Sequence, residues 1–222
     1  MMVINASILG RRINELGKEE VTWGFLLVDM KKCQGCISCM LACSLVHHGV
    51  ENPSLSRIQI LQNPYGCWPD DLTIAQCRQC VDPACVAACT VGALAPDPQF
   101  GNVTRVDQEK CIGCKRCISA CPYTPSRPVW NFEDGYSQKC DLCAHAPHWY
   151  WDESGGPEGK KACVEVCPLG AITYTKVVPD QTREDSYSVN LRGLQWARLG
   201  YPGWDLPLLD RWLAEKDKGG IR

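Results

Sequence analysis

Apolar positions come in short bursts along this chain, not in long stripes. Phe25-Leu26-Leu27-Val28-Asp29-Met30 is one such burst, of strand length. Arg57–Leu61 alternates, carries β-branched side chains and predicts a second strand. Val91–Leu94 and Asn102–Val106 flank Pro96-Asp97-Pro98-Gln99-Phe100-Gly101, a hairpin with a long loop. Val129–Phe132 predicts a short strand. Ala171–Val178 alternates as a strand that closes the fold before Pro179. Met40–His48 predicts one short helix, stopped by Gly49, and Asn63-Pro64-Tyr65-Gly66 reads as a turn. Residues 1–22 carry no strong signal. No run of eighteen apolar residues exists, so nothing is expected to span a membrane.

Between these bursts stand cysteines. Cys111-x2-Cys114-x2-Cys117-x3-Cys121-Pro122 is the ligand run of bacterial 4Fe–4S ferredoxins. Three thiolates two residues apart close around one face of a cube only if the backbone coils tightly, and Gly113 leaves room for that coil. The fourth Cys follows after three intervening residues, where a helix begins. In two-cluster ferredoxins it ligates the neighbouring cluster. Three further runs repeat the pattern. Cys33, Cys36, Cys39 and Cys43 keep its spacing. Cys77, Cys80, Cys85 and Cys89 stretch it by two residues through Pro83. Cys140 and Cys143 are parted from Cys163 and Cys167 by an insert rich in Gly and aromatic residues. Four runs make two ferredoxin-like units and use all the cysteines but Cys67, which reads as a free structural thiol. Zinc is the competing reading of C-x2-C pairs, but a ladder of three over-supplies a zinc knuckle. The four His (His47, His48, His145, His148) read as solvated or structural, since a Rieske centre replaces two Cys and none are missing.

Composition excludes several classes. Seventeen Cys in 222 residues would suit a secreted disulfide scaffold, but the segment after Arg11-Arg12 is polar and acidic where an export signal is apolar. A reducing, cytoplasmic compartment is the expectation, and there clustered Cys means metal. Gly159-Lys160 lacks the residues of a phosphate loop, and no basic block suggests nucleic acid. No dinucleotide fingerprint or nucleophile elbow appears, so no catalytic residue is assigned. Formal charge is −2, and four oxidised clusters would take it to about −10. Lys31, Lys32, Arg78, Lys110, Lys115, Arg116, Lys139, Lys160 and Lys161 lie beside the runs. They read equally as compensation of cluster charge or as solvated surface.

The motifs Cys33–Cys43, Cys77–Cys85, Cys111–Tyr123, Gln138–Cys143 and Cys163–Ile172 together resemble one family. It is the four-cluster iron–sulfur electron-transfer subunit of molybdenum or tungsten pterin oxidoreductases of dimethyl sulfoxide reductase type. The chain is also similar to the small cytosolic subunits serving tungsten aldehyde-oxidoreductase-type enzymes, the anaerobic benzoyl-CoA reductase among them. The resemblance implies an α+β fold of interleaved bacterial ferredoxin-like units, with short strands and helices around four 4Fe–4S clusters. It implies exchange of fourth cysteines between runs one and four and between runs two and three. The expected ligand sets are then Cys33, Cys36, Cys39 and Cys167; Cys43, Cys140, Cys143 and Cys163; Cys77, Cys80, Cys85 and Cys121; and Cys89, Cys111, Cys114 and Cys117. The expected partners are a large Mo- or W-pterin catalytic subunit and a redox protein such as ferredoxin, with no nucleic acid. A free polyferredoxin, and the iron–sulfur subunit of a hydrogenase or formate dehydrogenase, remain the alternatives.

The expected organisation is an N-terminal extension over 1–23, a cluster domain over 24–178 and a C-terminal tail over 179–222. The tail carries Trp196, Trp204 and Trp212, and Leu209, Trp212 and Leu213 fall on one face of a possible helix over 208–216. So short a segment must pack on something. The tail is read as a partner-docking arm.

Overall fold

The structure is a computed structural model that describes residues 11–13, 19–67, 71–149 and 159–181. The chain divides into two compact units, Met1–Ser188 and Val189–Arg222. The second unit, with the predicted helix over 208–216, lies outside the described residues.

The described part is a mixture of small helices and short antiparallel strands. Strand β1 (Arg11–Ile13) and β2 (Glu19–Val28) pair, and β2 pairs in turn with β9 (Ile172–Val177) near the other end of the cysteine-bearing region. The register Phe25↔Thr175, Leu26↔Tyr174 and Val28↔Ile172 puts Phe25, Leu26, Val28 and Ile172 into the core, each no more than 3% exposed. Burying a side chain such as Phe25 contributes roughly 1.5–3 kcal/mol. The pairing shifts register between Glu20 and Phe25. Gly24 lies there at φ 87°, and the Tyr174 ring fills the place its side chain would take. The Tyr174 hydroxyl donates to Trp23 O at 2.5 Å.

The strand beginning at Glu19 corrects the sequence reading. Val21 and Trp23 belong to the main core, not to an extension. Their signal was weak because Glu19, Glu20 and Thr22 interrupt the apolar pattern. Helix α1 (Ser38–His48) ends where expected, on Gly49 at φ 73°, whose N–H returns to Leu45 O at 2.8 Å. Three hairpins follow. They are β3 (Gln59–Gln62) with β4 (Leu72–Ala75), β5 (Leu94–Asp97) with β6 (Val103–Val106), and β7 (Val129–Asn131) with β8 (Tyr136–Gln138). The partner β8 carries no strand signal of its own in the sequence, and β4 only the short alternation of Leu72-Thr73-Ile74.

Two-stranded hairpins this short are marginal alone. Buried amides stitch them together. Gln79, 1% exposed, donates from Nε2 to Thr104 O (3.3 Å) and Cys140 O (2.7 Å), and its Oε1 accepts from Thr104 N (3.1 Å). Trp23 Nε1 donates to Gln79 O at 3.2 Å, which ties in β2. Gln138 Nε2 reaches Leu55 O at 3.0 Å.

Candidate iron–sulfur sites

Among the described residues there are also three one-turn α-helices: α2 (Ala84–Ala87), α3 (Arg116–Ser119) and α4 (Ala162–Glu165). In all four helices the second residue is a cysteine: Cys39, Cys85, Cys117 and Cys163. In all four another cysteine stands four residues later: Cys43, Cys89, Cys121 and Cys167. The repeat seen in the sequence is thus a repeat of a single structural unit.

The coil at the start of each run needs unusual backbone. In run one, Gly35 and Ile37 have φ of 68° and 56°. In run three, Gly113 and Lys115 stand at the matching positions with 70° and 59°. Gln79 at 43°, and Leu142 and Cys143 at 56° and 60°, do the same for the other two runs. Each non-glycine residue held left-handed costs about 1–2 kcal/mol, and a β-branched one such as Ile37 is a genuine outlier. Strain gathered at the start of every run is what a built site stores. Gly113 also has no room for a side chain: a Cβ would stand 3.0 Å from the Trp130 ring and 3.1 Å from Gly135 O.

The cysteines collect in four groups, each drawn from two runs. Cys33, Cys36, Cys39 and Cys167 line about 370 Å³ of space not filled by protein atoms. Cys43, Cys140, Cys143 and Cys163 line about 330 Å³, and Cys89, Cys111, Cys114 and Cys117 about 340 Å³. Cys77, Cys80, Cys85 and Cys121 form the fourth group: burial first, then neighbouring Cys77 and Cys121, raise the thiols of Cys80 and Cys85, the latter to about 12. Burial likewise pushes Cys39 and Cys143 up to about 12, and Cys140 and Cys163 well above the ordinary thiol value. Nearby thiols add to each shift. As bare thiolates these groups would be penalised by burial and by one another, and bonding to iron offsets that charge.

Donors already point at the sulfurs. Cys43 accepts from Arg57 N (3.4 Å), Cys77 from Gln79 N (3.5 Å), Cys121 from Arg127 N (3.3 Å) and Cys167 from Ala171 N (3.2 Å). Hydrogen bonds to sulfur are a standard feature of cluster sites. Among the described residues, no group of three or more His, Cys, Asp and Glu is placed to hold a single metal ion. The thiols stand around voids, as the corners of a cluster require. The donor set therefore fits 4Fe–4S groups.

The groups also adjoin one another. Cys163 feels the charge of Cys39, and Cys140 that of Cys77, while each helix joins two groups through its cysteine pair. Cys39, Cys43, Cys77, Cys143 and Cys163 are buried, whereas Cys36 and Cys114, one in each end group, are exposed. Cys67 lines none of the three voids and is exposed.

Sequence reasoning missed one feature. Asp141, between Cys140 and Cys143, is 2% exposed. Its carboxylate takes Arg57 Nη1 at 2.6 Å and His47 Nε2 at 3.0 Å, and accepts from Cys143 N at 3.1 Å. His47 in turn lies 3.7 Å from Cys43 Sγ. The reading of His47 as structural is right in kind, but the residue is an ion-pair member against a ligand cysteine. The trio opens on a polar cleft of about 650 Å³, lined also by His48, Arg105, Glu109 and Lys139, with no cysteine in its wall. The basic residues beside the runs divide: Lys32, Arg78, Lys139 and Lys161 are buried, and Lys110, Lys115, Arg116 and Lys160 are exposed. Neither sequence reading covers them all.

The family described as a 4Fe-4S dicluster domain matches residues 71–177. YsaA of Escherichia coli K12, a putative electron transport protein by name, is 34% identical over an alignment of 155 positions that covers 67% of this sequence and 87% of that protein. This chain therefore belongs to the 4Fe–4S electron-transfer family. The B subunit of anaerobic dimethyl sulfoxide reductase from the same strain is 34% identical over an alignment of 165 positions that covers 68% of this sequence and 72% of that one. Hydrogenase-2 operon protein HybA of Escherichia coli O157:H7 is 32% identical over an alignment of 170 positions that covers 67% of this sequence and half of HybA. A solved structure, the active site complex BamBC of benzoyl coenzyme A reductase as isolated, covers 88% of this sequence and 97% of its own, at 17% identity with a TM-score of 0.38. That likeness decides nothing about fold or function. The protein is an iron–sulfur electron-transfer subunit of oxidoreductase type. Among the described residues no helix is long and apolar enough to cross a membrane.

Proposed function

We propose that this chain carries four 4Fe–4S clusters and passes single electrons along them between a catalytic subunit and a second redox protein. The observation that carries this reading is the sorting of sixteen cysteines into four groups of four, three of them lining unfilled spaces, with each group drawing one thiol from another run. The ligand sets are the four groups described above. The fold is then two interleaved ferredoxin-like units. An exposed cysteine in each end group, Cys36 and Cys114, suits a wire loaded at one end and discharged at the other.

Replacing Cys121 by Ser in the anaerobically purified chain tests the sets. The expected result is a damaged electron paramagnetic resonance signal from the group of Cys77, Cys80 and Cys85, with the Cys111 group intact. Damage to the Cys111 group instead refutes the exchange of fourth cysteines.

The catalytic partner is proposed to be a Mo- or W-pterin oxidoreductase, with a ferredoxin as second partner and the cytoplasm as location. The similarity to a dimethyl sulfoxide reductase subunit supports the first. The match to a hydrogenase operon protein supports a hydrogenase as the second reading. Residues 179–222 are proposed as the arm that grips the catalytic subunit, because Trp anchors are typical of interface hot spots. Truncation after Pro179 is expected to leave all four clusters in place while the chain no longer co-purifies with its partner. Loss of clusters, or an intact complex, argues against a docking arm.

A further inference from the structure

The group of Cys89, Cys111, Cys114 and Cys117 is framed by an apolar surface that ligation does not explain. Cys114 is exposed, and Val91, Ile112 and Lys115 line the same space as the four cysteines. Val91 is 39% exposed and Ile112 66%. Beyond Lys115 stands Phe132, 85% exposed. It is not a stray side chain. Its ring meets that of Trp130 edge-on, with centroids 6.4 Å apart. Lys115 Nζ lies 4.1 Å from the Trp130 centroid and 6.0 Å from that of Phe132, within cation–π range. Trp130 in turn sits on the cysteine coil, where a Cβ on Gly113 would meet its ring at 3.0 Å. From the coil outward, Trp130, Lys115 and Phe132 are one stack, and its outermost ring faces water.

The charges around this apolar centre are ordered. Lys115 and Arg116 are exposed and follow Cys114 directly. Glu133 and Asp134 are exposed in the β7–β8 turn beyond Phe132, and Asp134 accepts from Asn131 Nδ2 at 2.9 Å. Earlier in the run, Glu109 is exposed, and Lys110 is paired with Asp107 at 2.7 Å. The edge nearest Cys114 is therefore cationic and the far edge anionic. A few apolar side chains inside a charged rim make a contact that forms and parts quickly, since the rim steers encounter and the centre supplies the grip.

We propose that Ile112, Phe132 and the Trp130–Lys115 stack are the docking face of a small soluble one-electron carrier with an apolar centre and an acidic edge. The inference rests on the wire proposed above and adds where its second redox protein binds. The acidic edge lies against Lys115 and Arg116, which sets the carrier's redox group beside the Cys114 corner. One electron then leaves the carrier, which is oxidised by one, and enters the cluster of Cys89, Cys111, Cys114 and Cys117, which is reduced by one. No bond is made and no proton is moved. Phe132 and Ile112 are contact residues: they touch the partner and not the reacting atoms.

The test is stopped-flow reduction of the full holo-chain by a prereduced, acidic two-cluster bacterial ferredoxin, with iron counted in each sample. Dithionite, which needs no docking face, is the control reductant. Phe132→Ser is expected to lower the second-order rate constant with ferredoxin at least tenfold and to leave dithionite reduction unchanged. Phe132→Trp is expected to keep most of the rate. If Phe132→Ser fails to load iron, Ile112→Ser decides in its place, with the same expectation. Leu169→Ser, beside the Cys36 group at the other end, is expected to change nothing. At low salt Arg116→Glu is expected to slow the ferredoxin reaction several-fold and Glu133→Lys to speed it several-fold, both effects shrinking as salt rises. An unmoved rate in Phe132→Ser, an equal fall in Leu169→Ser, or charge effects of the opposite sign overturn the docking face. So does a variant that keeps the ferredoxin rate but no longer co-purifies with the catalytic subunit. A wild-type chain that dithionite reduces and ferredoxin does not also overturns the docking face, and leaves the wire standing. Iron well below sixteen in the wild type, or no cluster reducible by dithionite, overturns the wire and the docking face with it.

Discussion

Anaerobically prepared chain is expected to hold about sixteen iron and sixteen acid-labile sulfide, and removing that iron is expected to unfold it. The reason lies in what the clusters would touch. Cys39, Cys43 and Cys163 are members of the same buried cluster as Phe25, Leu26 and Ile172. Taking iron away leaves gaps in at least three places, walled by thiols that repel one another once ionised. The hairpins that frame these voids are two-stranded and held by a few buried amides. The expected loss is on the order of a domain's whole stability, about 5–15 kcal/mol. Circular dichroism of chelated against holo-protein reads it directly. A chelated chain that keeps its strand and helix signals would mean that the frame stands without metal. Iron near eight, or stoichiometric zinc, would mean that the cysteine groups were assigned to the wrong cofactor.

The cysteine groups were legible in the sequence because their chemistry is tied to spacing. A helix turn fixes the distance between Cys39 and Cys43 or between Cys117 and Cys121, so the ladder of small intervals is itself a structural statement. Helix α1 and strand β9 were legible for the same reason: a glycine stop for one and a long alternation for the other. Strands β4 and β8 were not. Leu72-Thr73-Ile74-Ala75 and Tyr136-Ser137-Gln138 are strands because β3 and β7 lie beside them. Tertiary pairing there overrides a weak local preference. Gln79 and Gln138 read as ordinary polar residues, yet they are almost fully buried and bind backbone from distant segments. Nothing local announces such a bridge. The burial of Lys139 and Lys161 alongside the exposure of Lys110 and Lys160 has the same origin: it depends on which segment covers them.

Asp141 is the second place where one residue is expected to matter greatly. Asp141→Ala leaves Arg57 and His47 buried beside Cys43 without their counter-ion, and takes the acceptor from Cys143 N. Breaking a buried pair by removing one partner costs about 3–5 kcal/mol. The urea midpoint of the holo-chain is the measurement. The pH profile then separates charge from shape. Burial opposes ionisation of Asp141, but Arg57 and His47 outweigh it and hold the carboxyl far below its usual range. Its contribution is therefore present above the unfolded carboxyl value of about 3.9 and is lost as pH falls toward the folded value. For His47, burial works against the charged form, yet Asp141 prevails and raises it from 6.5 to about 9. Its contribution is whole below pH 6.5 and is lost as pH rises through about 9. Wild-type stability is thus expected to be flat between about pH 4 and 6.5 and to fall by roughly 3 kcal/mol by pH 9. Asp141→Ala removes the carboxylate that holds the His47 proton, so the alkaline fall should go with it. A variant that is destabilised yet keeps that slope would show that Asp141 acts by packing alone and that the proton on His47 is held by something else.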